Sequence, residues 1–244
     1  MARRFADLRL ACPVGRGGLR VLMERAKAFG FSLVATPLEP TARPEGLEYL
    51  KRIASEVGVD LATRVDLAPE GRQELLRALR RLRRRFELIG VLCQNKEVAR
   101  VAARDRRVDL LRFPLEPRRR FFDRSEAELA SGSNCALEIE LMPLFRLPAQ
   151  HRILLLARLR DEVELAKDYG VPVVLSSGAE EPILMRRPRE LAYLASELLG
   201  LRFEEALDAL STVPAEIVER NRAKLSPDFV APGIRVIRRG SDCP

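Results

Sequence analysis

Carboxylates are the side chains of this chain best suited to acid–base or metal chemistry, and three of them fall on predicted strands or at strand ends. Glu138 and Glu140 alternate with apolar residues, so both point to one side of their strand. Such a pair can bind magnesium or divide acid and base roles, or arginines inside the fold can neutralise it, which we favour. For Asp66, a solvated loop or capping role is favoured over that of a general base.

Nucleophilic and metal-binding side chains are scarce. His151 is the only histidine, so a Ser-His-Asp triad would have to include it, and a multi-histidine metal site cannot form. The four cysteines, at positions 12, 93, 135 and 243, lack the Cys-x-x-Cys spacing of zinc or redox motifs. We therefore expect neither catalytic residues nor metal ligands in this chain, and no cofactor bound by it.

Two short segments contain residue types that can hold a phosphate. Gly15-Arg16-Gly17-Gly18 lies between a strand and a helix, but it lacks both the P-loop lysine and the dinucleotide-binding glycine pattern, so a plain turn is favoured. Leu175-Ser176-Ser177-Gly178-Ala179 follows the last predicted strand, with Arg186 and Arg187 shortly after it. Helix capping explains those serines equally well.

The charge of the chain is basic and unevenly distributed. The 43 lysines and arginines exceed the 35 acidic residues by 8, and 38 of the basic residues are arginine. Residues 71–124 contain 17 basic and 7 acidic residues, whereas residues 125–210 contain 9 and 15. Arginine binds phosphate bidentately and stacks on bases. A basic segment of this kind favours an anionic partner, most simply a nucleic acid.

A helix predicted over Arg72–Arg85 carries the clearest basic surface. Leu75, Leu79, Leu82 and Phe86 form its apolar stripe, and Arg77, Arg81 and Arg84 lie opposite. A merely solvated face would normally interleave glutamates with the arginines, because like charges at this spacing repel. We favour contact with RNA or an acidic protein over an idle surface. Few aromatic residues accompany the arginines, which predicts backbone contacts more than sequence readout.

The elements that must position these residues alternate regularly. Short apolar runs predict about seven strands, and each is followed by an amphipathic helical pattern. The predicted strands are Phe5–Leu10, Phe31–Thr36, Val59–Leu67, Phe86–Cys93, Val108–Phe113, Cys135–Leu141 and Val171–Ser176. Such alternation predicts an α/β fold with parallel strands, and the long regular series favours a TIM-barrel-like arrangement over an open sheet.

The predicted organisation is a single domain followed by a tail. Three helices, Pro188–Leu199, Phe203–Leu210 and Pro214–Lys224, take the place of an eighth strand. We expect residues 1–225 to form one TIM-barrel-like domain. Residues 226–244 are expected to form an irregular tail, in which Ile234–Arg238 adds an edge strand or folds on a partner. No uncharged stretch is long enough to span a bilayer and no signal peptide is present, which predicts a cytoplasmic protein.

Several blocks, in order along the chain, resemble a known family. The most specific are Ala103-Arg104-Asp105-Arg106-Arg107-Val108-Asp109 and Val218-Glu219-Arg220-Asn221-Arg222, supported by Phe5-Ala6-Asp7-Leu8 and Arg187-Pro188-Arg189-Glu190. Over about residues 5–225 the chain resembles the archaeal ribonuclease P protein component 3 family, which is similar to the eukaryotic subunit of the same enzyme. That resemblance implies a TIM-barrel-like fold, in agreement with the alternation of strands and helices.

The resemblance also implies a function. Ribonuclease P is an endonuclease that removes 5′ leader sequences from precursor tRNA, and in this ribonucleoprotein the RNA carries out the phosphodiester hydrolysis. The expected partners are ribonuclease P RNA, protein component 2, the other protein subunits and, through the complex, precursor tRNA; no membrane partner is expected. Magnesium is expected for the RNA. The related histidine-rich barrel phosphoesterases place histidines after the first strand, where this chain has Leu8-Arg9-Leu10-Ala11.

The matching blocks and the basic helix together provide the residues predicted to contact RNA. These residues are Arg77, Arg81, Arg84, Arg104, Arg106, Arg107, Arg187, Arg220, Arg222 and Lys224. Two other roles remain open within these blocks: Arg104 can form an ion pair with Asp105, and Asn221 can serve as a cap or a core hydrogen-bonding residue. The alternative function is a TIM-like barrel enzyme that acts on a small phosphorylated substrate through Asp66, Glu138 and Glu140.

Overall fold

Seven parallel strands alternate with helices in the computed structural model, which describes residues 3–11, 16–231 and 234–235. Each strand pairs in parallel with the next one along the chain, in the order β1 to β7. The strands are β1 (Phe5–Asp7), β2 (Phe31–Pro37), β3 (Asp60–Leu67), β4 (Leu88–Leu92), β5 (Leu110–Arg112), β6 (Ala136–Glu140) and β7 (Val173–Ser176). The predicted TIM-barrel-like fold is therefore confirmed.

The helices follow the predicted alternation. They are α1 (Arg16–Phe29), α2 (Pro44–Val57), α3 (Arg72–Leu82), α4 (Lys96–Arg104), α5 (Arg124–Ser131), α6 (Met142–Phe145), α7 (Ala149–Asp168), α8 (Pro188–Leu199), α9 (Phe203–Ala209) and α10 (Thr212–Leu225), with 3₁₀ turns at Pro117–Arg119 and Pro182–Leu184. Gly58 ends α2 in the left-handed region, at φ 81°, where its N–H bonds to the carbonyl of Ala54. A glycine adopts that conformation without the steric cost of a Cβ.

The two outer strands meet at the carboxyl ends of the sheet. Beyond the strands, the N–H of Gly178 donates to the carbonyl of Arg9 at 3.1 Å, and the N–H of Ala11 donates to that of Ala179 at 2.9 Å. These bonds bring the end of β7 against the end of β1. The seven-stranded sheet is thus a nearly closed barrel whose carboxyl ends form one mouth.

The barrel has two cores. The larger lies between the sheet and the surrounding helices, where β-strand residues meet apolar helical stripes such as Leu75, Leu79 and Leu82 of α3. The smaller core fills the barrel interior, and Ile217 and Val218 of α10 belong to it. Because α10 also bonds to residues at the starts of several strands, it covers the amino-terminal end of the barrel, opposite the mouth. Helices thus occupy the place of an eighth strand.

The tail, expected to be irregular, contains a short ribbon in its described part. Strands β8 (Phe229–Ala231) and β9 (Ile234–Arg235) pair with each other in antiparallel fashion, apart from the barrel sheet. Residues 236–238 of the predicted edge strand lie outside the described residues, as do Cys12, Gly15 and Cys243. Within the described ranges, no helix combines the length and the apolar character that a membrane crossing requires.

Candidate nucleic-acid interface

The carboxylates singled out by the sequence lie together inside the barrel mouth, where arginines neutralise them. The cluster consists of Asp66, Glu138 and Glu140 with Arg9, Arg64 and Arg112. Residues on alternating positions of β3 and β6 face the same interior, which places the side chains of these two strands opposite each other. The cluster contains three carboxylates and three guanidinium groups, so their formal charges balance.

Arg64 is the centre of this charged cluster. Its side chain is fully buried and donates to both oxygens of Glu138, at 2.7 Å from Nη1 and 2.5 Å from Nη2. It also donates from Nε to Asp66 at 2.7 Å and from Nη1 to the carbonyl of Leu8 at 2.7 Å. The bidentate geometry matches the planar fork of the guanidinium group to a carboxylate. The Cβ that Gly90 lacks would lie 2.5 Å from Oδ1 of Asp66, so this glycine makes room for the cluster.

The other two arginines complete the cluster at the mouth. Arg9 donates to Asp66 at 3.1 Å and to Glu140, and Arg112 donates to Asp66 at 2.8 Å and to Glu140 at 3.0 Å. Burial alone would raise the pKa of Asp66, but Arg64, Arg112 and Arg9 outweigh it and hold that pKa well below 3.8. Burial likewise raises the pKa of Glu138, and Arg64 brings it below 4.5.

The arginines of the mouth therefore hold Asp66 and Glu138 in their ionised forms. Carboxylates whose pKa values lie below their usual range remain ionised at neutral pH and cannot act as general acids there. Each oxygen pair is already engaged by guanidinium groups, which leaves little room for a metal or a substrate. The interpretation of Glu138 and Glu140 as a pair neutralised by arginines is confirmed. Asp66 was expected to be a solvated or capping carboxylate; it is a partly buried ion-pair partner because the guanidinium groups of Arg9, Arg64 and Arg112 converge on it.

The two candidate phosphate segments have other roles where they are described. The hydroxyl of Ser176 donates to Glu138 at 2.6 Å, and the N–H of Ser177 donates to Oδ1 of Asp7 at 3.0 Å. These serines therefore stabilise the interior and do not cap a helix. Helix α1 begins at Arg16, which places Gly17 in its first turn; Gly15 lies outside the described residues.

Metal-binding side chains do not cluster in the described part of the chain, where no group of three histidine, cysteine, aspartate or glutamate residues could hold an ion. His151 is exposed in the first turn of α7, away from the barrel interior. Cys93 and Cys135 are buried free thiols, and burial raises the pKa of Cys135 to about 11. A thiol with such a pKa is protonated at neutral pH and is a poor nucleophile.

The outer face of α3 carries cations that have no acidic partner among the described residues. Leu75, Leu79 and Leu82 are fully buried, as the sequence predicted. On the opposite side Arg77 and Arg81 are exposed. The helix was predicted to continue to Arg85 but ends at Leu82, so Arg84 lies just beyond it, also exposed; none of the three forms an ion pair with a described residue. Their repulsion destabilises the helix slightly in the free protein. An anionic partner would relieve it.

Helix α10 carries the second specific sequence block, and most of its polar side chains bond internally. Asn221 donates to the carbonyl of Glu87 and to Asp109, both at 2.8 Å. Arg222 pairs with Asp60 at 2.7 Å and with Glu87 at 2.9 Å, and Arg220 donates to the carbonyl of Asn134 at 3.0 Å. These bonds hold α10 against the starts of the strands. The block has a structural role, and any contact of Arg220 or Arg222 with RNA stays a prediction.

The remaining predicted residues divide into separate surfaces. Arg107 pairs with Asp105 at 2.6 Å, whereas Arg104 and Arg106 are exposed without an ion pair among the described residues. Arg187 lies at the start of α8, with its guanidinium 5.3 Å from the centre of the ring of Phe29, the last residue of α1. Arg104 lines a shallow depression with Arg100.

A third surface brings several predicted residues together at the amino-terminal end of the barrel. Arg84, Arg106, Arg107 and Lys224 line one groove, although they come from three distant parts of the chain. Arg83, Phe229 and Val230 also line it and were not among the residues predicted to contact RNA. In the sequence, Phe229 could have been singled out only because it is an aromatic residue shortly after a helix that contains arginines and a lysine.

Comparisons with known proteins agree with the architecture and the sequence blocks. The family model for RNase P subunit p30 matches residues 4–226. The chain is 31% identical over 227 residues to ribonuclease P protein component 3 of Methanosarcina mazei, which covers 93% of this chain and 92% of that protein. The same identity and coverage hold for the protein of that name in Methanosarcina acetivorans.

Among solved structures, a chain from the cryo-EM structure of archaeal ribonuclease P with mature tRNA has the same fold. Its TM-score is 0.83 at 20% sequence identity, and the alignment covers 97% of this chain and 100% of that chain. The match extends over the whole barrel, including the helices that follow β7.

Proposed function

The chain belongs to the RNase P subunit p30 family, and on that premise we propose that it assists the catalytic RNA of ribonuclease P in removing 5′ leaders from precursor tRNA. In this proposal the chain acts within the ribonucleoprotein, in the cytoplasm, beside protein component 2 and the other protein subunits. The RNA performs the phosphodiester hydrolysis with magnesium. The chain provides cations that lie along the RNA backbone.

The observation that carries the proposal is the unneutralised arginine face of α3. Arg77 and Arg81 of α3, and Arg84 just beyond its end, are exposed, and no described carboxylate forms an ion pair with them. Cations that neutralise phosphates release counterions, and this release provides a large share of RNA affinity. Because phosphates carry no sequence information, the contacts would act on many RNA sequences alike.

The proposal assigns no chemistry to the chain itself. Asp66, Glu138 and Glu140 are engaged by arginines in the barrel mouth, and no described group of ligands is arranged for a metal. We expect the purified chain, assayed with magnesium or manganese but without the RNA subunit, to leave precursor tRNA intact. Cleavage at the leader junction by RNA-free protein would show that the chemistry resides in the protein.

Reconstitution tests the assisting role. Adding the chain with protein component 2 to ribonuclease P RNA should raise turnover or lower the magnesium concentration required, because arginines replace cations along the phosphates. Replacing Arg77, Arg81 and Arg84 with glutamine should reduce this benefit without unfolding the protein, since the buried leucine stripe is untouched. For each arginine that no longer binds a phosphate, the slope of log affinity against log salt should flatten by about 0.7–0.9.

A charge-matched variant provides the control. Glutamine at Arg72, Arg118 and Arg124 removes the same number of exposed arginines, from segments that follow the carboxyl ends of β3 and β5. If the two triple variants lose equal amounts of affinity and activity, net charge alone is responsible and the α3 face has no special role. If the wild-type pair changes neither turnover nor the magnesium requirement, the assisting function is wrong.

A further inference from the structure

The groove at the amino-terminal end of the barrel has the composition of a ligand site. Arg83, Arg84, Arg106, Arg107 and Lys224 line it, and none of its described lining residues is acidic. The cations come from the turn that follows α3, the turn between α4 and β5, and the end of α10. The volume of the groove is about 600 Å³, which lies in the range of small-ligand sites.

The cations of the groove divide into structural and available ones. Arg83 turns inward, where it donates to the carbonyls of Phe86 at 2.7 Å and Glu87 at 2.8 Å and pairs with Asp109. Arg107 is held by Asp105. Arg84, Arg106 and Lys224 are exposed, and no described residue forms an ion pair with them. Three cations are therefore available to a ligand in this groove, whereas Arg83 and Arg107 are held in place by contacts within the protein.

Crowding of like charges in the groove is unfavourable in the free protein. Burial and the neighbouring guanidinium groups of Arg220, Arg83 and Arg106 hold the pKa of Lys224 below its usual 10.5, although the carboxylate of Asp109 opposes them. Asp109, buried beside the groove, compensates only part of this repulsion, and the remainder opposes folding. Local features that lower stability without compensation are typical of functional sites. A bound anion would provide the compensation.

An aromatic and an aliphatic side chain complete the surface. Phe229 of β8 is partly buried and Val230 is exposed, and both line the groove beside the cations. Single-stranded RNA offers phosphates to cations and unstacked bases to aromatic rings, and base–aromatic stacking tolerates many sequences. A free phosphate would use the cations but not the ring. A duplex keeps its bases stacked and would also leave the ring without a partner.

We propose that this groove binds a single-stranded segment of RNA, with its phosphates on Arg84, Arg106 and Lys224 and a base on Phe229. The inference rests on the proposed function, since it assigns to the ribonucleoprotein subunit a specific site for its RNA. The groove shares Arg84 with the arginine face described above, which is why the groove test below changes only Arg106 and Lys224. Arg77 and Arg81 offer charge alone, whereas the groove offers charge and a stacking surface. An acidic segment of a partner protein is the competing occupant.

The test compares a groove variant with a matched control in the full-length chain. The groove variant is Arg106→Gln with Lys224→Gln, and the control is Arg72→Gln with Arg124→Gln, two exposed arginines at the starts of α3 and α5 beside the carboxyl ends of the strands. Binding of a fluorescein-labelled oligouridylate is measured by anisotropy over a series of KCl concentrations. The groove variant should reduce the salt slope by about 1.4, at roughly 0.7 for each single-strand phosphate contact. The control should leave the slope within error of wild type.

Two further measurements separate the site from charge and from folding. Phe229→Leu keeps an apolar side chain but removes the stacking face, so it should weaken oligouridylate binding roughly fivefold or more with an unchanged salt slope. The groove double variant should melt at or above the wild-type temperature, because it removes repulsion. A groove double variant that binds the oligouridylate like wild type overturns the inference. Polyglutamate serves as the probe for an acidic protein segment, and a double variant that binds polyglutamate less tightly while its RNA binding is unchanged also overturns it.

Reconstituted ribonuclease P distinguishes failure of this inference from failure of the proposed function. If the wild-type chain enhances precursor tRNA processing and the groove double variant does so equally, the function stands and the groove site is wrong. If wild type and variant both fail to enhance processing, the proposed function itself fails. Lower enhancement by the groove variant than by the control double variant supports both.

Discussion

Removing Arg64 should expose how strongly the barrel depends on its interior charges. Arg64→Met leaves Glu138, whose side chain is fully buried, without its bidentate partner, and leaves Asp66 with Arg9 and Arg112 only. Breaking a buried ion pair from one side costs about 3–5 kcal/mol, because the remaining charge stays desolvated. In a chain of this length, that destabilisation corresponds to a fall in Tm of roughly 6–20 °C.

The matched control breaks an exposed arginine pair in the same way. Arg20 pairs with Glu24 and with Glu56, both at 3.1 Å, on the surface of α1 and α2. Arg20→Met should cost less than about 1 kcal/mol, since water replaces the missing guanidinium group. Urea unfolding followed by circular dichroism measures both variants at constant pH. Equal midpoints for Arg64→Met and Arg20→Met would refute the assignment of Arg64 as the centre of the cluster.

The pH dependence gives a second check on the same variant. Asp66 and Glu138 have folded pKa values below the unfolded ones, so they contribute stability above about pH 4.5 that is lost as the pH falls through the folded values. Without Arg64, burial favours the protonated form of Glu138. The stability deficit of Arg64→Met should therefore shrink between pH 7 and pH 4. A deficit that grows in acid would contradict the sign of this argument.

Two other changes follow from the interior. Gly90→Ala places a Cβ 2.5 Å from Oδ1 of Asp66 and 3.0 Å from Nη2 of Arg64. It should lower the free energy of unfolding by about 1–3 kcal/mol. The control is Gly46→Ala in α2, whose Cβ meets no atom within 4 Å and which should stabilise the protein slightly. Burial raises the pKa of Asp7 above 3.8, and its Oδ2 has no hydrogen-bond partner among the described residues. The folded state therefore loses stability as the pH rises through and above that value, and Asp7→Asn should gain stability relative to wild type between pH 4 and pH 7 in urea titrations.

Local pattern was sufficient for much of the fold. The alternation of apolar runs and amphipathic helices predicted the seven parallel strands, and the leucine stripe of α3 lies where its periodicity placed it. Side-chain alternation also placed Glu138 and Glu140 on one face of their strand. These predictions succeed because strand and helix periods act within a few residues, where backbone geometry fixes the direction of each side chain.

The end of the first strand and the structure of the tail could not be predicted from local sequence pattern. The first strand was predicted to continue to Leu10, but pairing ends at Asp7, where the side chain turns into the interior and accepts from Ser177. The tail was expected to be irregular, and its described part forms the β8–β9 ribbon. Hydrogen bonding between segments distant in sequence decides such limits, and no local propensity encodes it.

The sequence by itself determined that cations are abundant, that they concentrate in residues 71–124 and that the carboxylates of β6 share a face. Only the tertiary structure decided which cations are available. Arg64 and Arg112 form ion pairs with interior carboxylates, and Arg222 forms ion pairs with carboxylates at the starts of two strands. Arg84, Arg106 and Lys224 instead line one groove. The physical reason is that charge pairing depends on distance in space, and barrel closure brings together residues that are more than a hundred positions apart in the chain.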